Sequence, residues 1–158
     1  MSDYKNTGIV GKDKIEMPDE ERLKKGPVVI VECVENIPCN PCVAACPKDA
    51  ISMDEITDIP EVDFDECIGC ALCVTECPGL AIFVIDCSYS DNKCKVTVPY
   101  EYLPIPEKDD DVMVLDRKGE ELQKARVTKV RESGKTYAVT MEMDKEYAMD
   151  ARGLEVIE

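Results

Sequence analysis

The sequence predicts an α+β fold in two parts: a cysteine-rich segment built on an internal repeat, then a small all-β module. Three observations carry that reading. Eight of the ten cysteines fall in two clusters, Cys33, Cys39, Cys42, Cys46 and Cys67, Cys70, Cys73, Cys77, each closed by a proline. The clusters repeat in constant register, with Cys39, Cys42, Cys46, Pro47, Ala50 and Ile51 mapping onto Cys70, Cys73, Cys77, Pro78, Ala81 and Ile82. Beyond residue 110, short runs rich in Val, Thr and Met alternate with turn signals, the pattern of successive short strands.

In chain order, residues 1–26 carry mixed charge and little apolar periodicity, and read as an extended or partly disordered arm that packs on a partner. Val28–Val31 is a continuous apolar run, the pattern of a buried strand. Short helices are expected after Cys39 and Cys70, over 41–45 and 71–75. Between the two halves, Asp49 to Glu66 holds eight acids and no base. Ala81–Asp86 and Lys95–Val98 read as strands flanking a turn-rich stretch. Cys87 and Cys94 could face each other across that hairpin, and two idle thiols are preferred to a disulfide in a reducing compartment. Pro99, Pro104 and Pro106 exclude a helix, so 99–110 is expected as a proline-rich acidic linker. Asp111–Asp116, Glu121–Arg131, Thr136–Met143 and Leu154–Ile157 are the expected strands of an SH3-like or barrel module over 111–158.

Composition restricts the function. The 158 residues contain 34 acids against 19 bases, a net charge of −15 that argues against a nucleic-acid partner. Histidine is absent, which excludes His-ligated zinc, Rieske centres and every His-dependent triad. No apolar run approaches the roughly 20 residues of a membrane span. The polar start MSDYKNTGIVGKDKIE is not a secretory signal, so a cytoplasmic location is expected. There, clustered cysteines read as metal ligands or redox groups. No dinucleotide fingerprint, P-loop or Ser-His-Asp set accompanies them.

The second cluster reads C-x2-C-x2-C-x3-C-P, a spacing that serves iron–sulfur cubanes. Zinc needs four ligands, usually in two separated pairs, and leaves the third closely spaced cysteine unexplained. A zinc-stabilised interaction module is therefore the weaker alternative. With its C-P-K-D-A-I and C-P-G-L-A-I tails, the region resembles the bacterial two-[4Fe-4S] ferredoxin family over roughly residues 27–86. The resemblance implies a pseudo-twofold ferredoxin-like domain, placed at 27–98. It also implies crossed ligation: Cys46, Cys67, Cys70 and Cys73 on one cluster, and Cys39, Cys42, Cys77 and a fourth ligand on the other.

The first half departs from the family at that fourth position. Asn36 stands where the register calls for cysteine, and Cys33 lies three residues earlier. One helical turn would bring Cys33 onto the same side and complete the set. The alternative is an idle, buried Cys33 beside a three-iron cluster. The displaced ligand, the run I-P-C-N-P-C and the β tail are also similar to ferredoxin-like small subunits of multisubunit flavoprotein dehydrogenases that oxidise amino acids such as proline or hydroxyproline. That likeness implies FAD- or FMN-containing partner subunits and relay of single electrons between flavins; a freely diffusing ferredoxin is the alternative. Cys33→Ser is expected to lower the iron content and alter the visible spectrum. Full iron with an unchanged spectrum would remove Cys33 from the ligand set.

Overall fold

The computed structural model describes residues 17–32, 41–56, 58–77, 81–90, 92–102, 104–133 and 136–157. In chain order, the elements up to the second cysteine cluster are α1 (Glu20–Lys25), β1 (Val28–Val31), α2 (Pro41–Ala45), β2 (Ile51–Ser52), β3 (Glu61–Val62) and α3 (Leu72–Glu76). Then come β4 (Ile82–Asp86), β5 (Lys93–Tyr100), β6 (Asp111–Leu115), β7 (Glu121–Ser133) and β8 (Thr136–Asp144), a 3₁₀ turn at Lys145–Tyr147, and β9 (Gly153–Val156). Seven strands form one sheet in the order β1-β4-β5-β8-β7-β6-β9, every neighbouring pair antiparallel, while β2 and β3 pair separately. The α+β expectation holds in part: the described helices are three segments of five or six residues, and antiparallel sheet dominates.

Why β1 and β4 are apolar along their length follows from burial on both faces. Val28, Ile30, Phe83 and Ile85 join the main core with Val96, Val98 and Met141. Val29, Ile82 and Val84 belong to a second core with Cys42, Cys73 and Val74. The sheet is thus a wall, with the cysteine loops packed against one side of it.

The four strands expected beyond residue 110 are present as β6 to β9, and they continue the sheet of the cysteine-rich half. Strand β5 pairs with β8 from Lys93↔Asp144 to Tyr100↔Tyr137. Val112, Val127 and Leu154 share one core with Val96 and Val98. The stretch expected as a linker begins inside β5. Pro99 sits opposite Ala138, beyond Thr97, where pairing with β4 ends, so its missing N–H interrupts no second ladder. Further along, Asp109 N–H donates to the Val127 carbonyl at 2.7 Å and Val127 N–H to that of Asp110 at 2.9 Å, tying the acidic turn to β7. Across the sheet, register aligns Asp86, Lys95, Glu142, Arg126 and Asp111 in a row of alternating charge. Such cross-strand pairs contribute roughly 0.2–1 kcal/mol each.

Two expectations are corrected. Cys87 and Cys94 form a disulfide rather than idle thiols, with Cα atoms 4.4 Å apart. The hairpin brings the end of β4 against the start of β5 and buries both residues in the main core, so the facing geometry prevails over the argument from compartment. The end of the N-terminal arm, residues 17–26, packs on this chain itself, with Leu23 in the main core. Asp19 caps α1 by accepting from Arg22 N–H at 2.8 Å, Glu20 and Glu21 occupy its first turn, and the basic residues follow.

Glu32, directly after β1, is a buried carboxylate joined to the far end of the chain. Arg117 donates to it through Nε at 2.9 Å and Nη2 at 2.8 Å, and Arg152 donates through Nε. Arg152 also bonds the Ala148 and Ala151 carbonyls and lies 5.0 Å from the Phe83 ring centroid. Burial pulls the Arg152 guanidinium below its ordinary pKa, and the Glu32 carboxylate opposes that shift. Removing one partner of such a buried group strands the others in low dielectric. Glu32→Gln is therefore expected to cost about 3 kcal/mol, read as a lower denaturant midpoint.

Candidate metal centre

The second cysteine cluster sits on a loop that two left-handed residues bend into a cup. Gly69 has φ 68° and Ala71 φ 66°, so the chain reverses between Cys67 and the start of α3. A left-handed conformation costs a non-glycine residue roughly 1–2 kcal/mol, so the surroundings must hold Ala71. At Gly69 an added Cβ would stand 2.4 Å from the Cβ of Pro27, so glycine serves both the φ and the close approach. Cys73 lies in the first turn of α3, and Cys77 closes that helix by donating its N–H to the Cys73 carbonyl at 3.2 Å. Cys46 follows α2.

Cys46, Cys67, Cys70 and Cys73 line one cavity, whose apolar wall includes Val29, Ile51 and Val84. The structure thus brings one first-half cysteine together with three from the second half. Burial pushes the Cys73 thiol up to about 12, and Cys67, Cys70 and Cys46 add to that shift. Four thiolates can share such a site only with positive charge between them, and metal binding supplies that charge while releasing the protons. Among the described residues no three Cys, Asp or Glu side chains are grouped as ligands of a single ion, and the four thiols surround a cavity instead.

Backbone donors reach the sulfurs. Val29 N–H donates to Cys67 Sγ at 3.4 Å and Ala50 N–H to Cys46 Sγ at 3.2 Å. In the other half of the repeat, Ala81 N–H donates to Cys77 Sγ at 3.5 Å. The C-P-x-x-A motif therefore acts twice in the same way, placing an amide on a sulfur four residues back. Charge-favouring donors, apolar walls and four convergent thiols fit an iron–sulfur cluster. Of the second set, Cys42 is buried in α2 and Cys77 half-buried just after α3, and these two helices pack together. Cys33 and Cys39 lie outside the described residues.

Sequence reasoning missed two arginines. Arg22 of α1 donates through Nη2 to the carbonyls of Cys67 at 2.7 Å and Pro27 at 3.1 Å. Its Nη1 reaches Gly26 O at 3.2 Å, and its Nε bonds the Phe64 carbonyl. Arg131 of β7 donates to the Ala71 carbonyl at 2.7 Å and to Thr75 Oγ1 at 3.2 Å. Arg131 and the exposed Cys70 line the same groove. No local spacing links either arginine to the cysteines; only the five-donor guanidinium marks them as able to serve several carbonyls at once.

Residues 32–81 match the family model of the 4Fe-4S dicluster domain, so the chain carries such a domain within a longer sequence. The chain is 45% identical over 53 residues to the polyferredoxin-like subunit of an aliphatic sulfonate oxidoreductase from Pyrococcus furiosus, covering 34% of this chain and 28% of that protein. It is 39% identical over 72 residues to an uncharacterized ferredoxin of Methanocaldococcus jannaschii, covering 44% of each. Over 51 residues it is 41% identical to the pyruvate synthase subunit PorD of the same organism, covering 32% of this chain and 55% of that subunit. The match thus spans only 28% to 55% of these relatives' own lengths. No solved structure matches the chain.

Gly69→Ala tests the cup. It is expected to destabilise the loop by at least about 1 kcal/mol and to lower bound iron, measured by metal analysis against wild type.

Proposed function

We propose that this chain is an electron-transfer protein carrying two [4Fe-4S] clusters, and that it works as an iron–sulfur subunit of an oxidoreductase complex. The observation that carries the reading is the single cavity lined by Cys46, Cys67, Cys70 and Cys73. These four are assigned to one cluster, and Cys33, Cys39, Cys42 and Cys77 to the other. Each cluster, when bound, takes up and releases single electrons. The chain's own residues supply the ligands, apolar walls and amide donors that stabilise charge on sulfur.

Two of the similar proteins are named as subunits of larger enzymes, one of an aliphatic sulfonate oxidoreductase and one of a pyruvate synthase, which supports a place in a complex. Within it, the chain accepts electrons one at a time from a reduced flavin of a dehydrogenase subunit and passes them onward; an amino acid of the proline type is the proposed substrate of that partner. The exposed acids between Asp49 and Glu66 suit a basic face on the partner and fast, salt-sensitive association. Among the described residues no helix is long and apolar enough to cross a membrane.

The test is iron and acid-labile sulfide per chain on anaerobically purified protein. About eight of each is expected for two cubanes. About seven iron would indicate a three-iron cluster and an idle Cys33. Stoichiometric zinc without iron would overturn electron transfer. Elution with flavin-containing chains rather than alone would separate a subunit from a freely diffusing ferredoxin.

A further inference from the structure

The two arginines on the cysteine loop come from distant parts of the sequence and grip the same short stretch of backbone. Arg22 holds the carbonyl of Cys67, and Arg131 holds that of Ala71, directly after Cys70. Cys67 is therefore fixed twice, through its carbonyl by Arg22 and through its sulfur by Val29 N–H. Arg22 is 8% exposed, so solvent and salt screen its charge little. Arg131 lines the same groove as Cys70, and the carbonyl it holds is that of the next residue, Ala71.

We infer that Arg22 and Arg131 are positioning residues that raise the reduction potential of the centre held by Cys46, Cys67, Cys70 and Cys73. The inference rests on the ligand assignment proposed above. Reduction adds one negative charge to a site already surrounded by thiolates. Two fixed cations, each hydrogen-bonded to a residue of the ligand loop, stabilise the reduced state more than the oxidised one. The same bonds hold the Cys67 carbonyl and add a second donor to that of Ala71, which also accepts from Val74 N–H at 3.2 Å, so charge and loop geometry are set together. One centre in the chain is thereby tuned by residues outside the matched segment 32–81.

The experiment is a spectroscopic redox titration of the purified, cluster-loaded full chain. Arg131→Gln is the principal variant, because Arg131 is only partly buried and its loss leaves the core intact. It is expected to shift one of two midpoint potentials to more negative values and leave the other in place. Arg131→Lys keeps the charge and is expected to retain the wild-type potential. Arg22→Lys and Arg22→Gln should repeat the contrast at the other end of the loop. With full iron content, unmoved potentials in Arg131→Gln, equal shifts of both centres, or a Lys variant as shifted as the Gln variant would each overturn the inference while leaving the two-cluster reading intact. A wild-type chain that binds no iron would overturn that reading and the inference with it.

Discussion

Four thiols can surround one cavity only if the chain bends too tightly for its loop backbone to join a helix or sheet. That constraint shapes the rest of the molecule. Between Cys67 and Ala71 the chain belongs to no regular element, and its carbonyls need partners from elsewhere. Arg22 holds the Cys67 carbonyl, Arg131 joins Val74 N–H on that of Ala71, and Pro27 sits close against Gly69. Val29 lies in an edge strand, where an outward N–H would otherwise invite another chain; its N–H is occupied by the Cys67 sulfur. One hydrogen bond therefore protects a sheet edge and places a ligand.

The same constraint accounts for the size of the chain. Helices of five or six residues gain little stability from their own hydrogen bonds, so packing must hold them. The packing surface is the sheet, and the sheet extends through β8, β7 and β6 to β9. Taking away the C-terminal strands would strip β5 of the partner along its full length, remove Arg131 from the loop and leave Glu32 buried without Arg117 and Arg152. The C-terminal strands are thus part of the support of the metal centre, whatever surface they also offer to a partner.

Much of this support could not be read from the sequence, while the cysteines that share the cavity could. Spacing marked Cys67, Cys70 and Cys73 as one run, and the family resemblance joined Cys46 to them; all four line the cavity. The repeated Ala50 and Ala81 acquired a meaning only with the fold, as amides on Cys46 and Cys77. The strands beyond residue 110 were legible from alternation and turns, but their joining to β5 was hidden by Pro99, which reads as a breaker until the one-sided pairing beyond Thr97 is known. The arginine contacts span separations of 45 and 60 residues, beyond any local periodicity. Likewise the Cys87–Cys94 disulfide depended on hairpin register rather than spacing.

Charge is sorted by residue type as well as by place. Of the five arginines, Arg22, Arg117, Arg131 and Arg152 are buried or half-buried and each meets a carboxylate or a backbone carbonyl, while Arg126 is exposed. Arginine suits these sites because its rigid fork serves several acceptors and its charge persists on burial. The acids between Asp49 and Glu66 are mostly exposed. Water and salt screen such exposed charges over a Debye length of about 8 Å. The buried Arg22, bonded to Cys67 itself, acts at short range in a poorly screened setting. A net charge of −15 thus coexists with two arginines held on the backbone of the cysteine loop, Arg22 on the Cys67 carbonyl and Arg131 on that of Ala71. The proposed roles in association and in reduction potential therefore fall on different residues, the exposed acids and the two loop arginines.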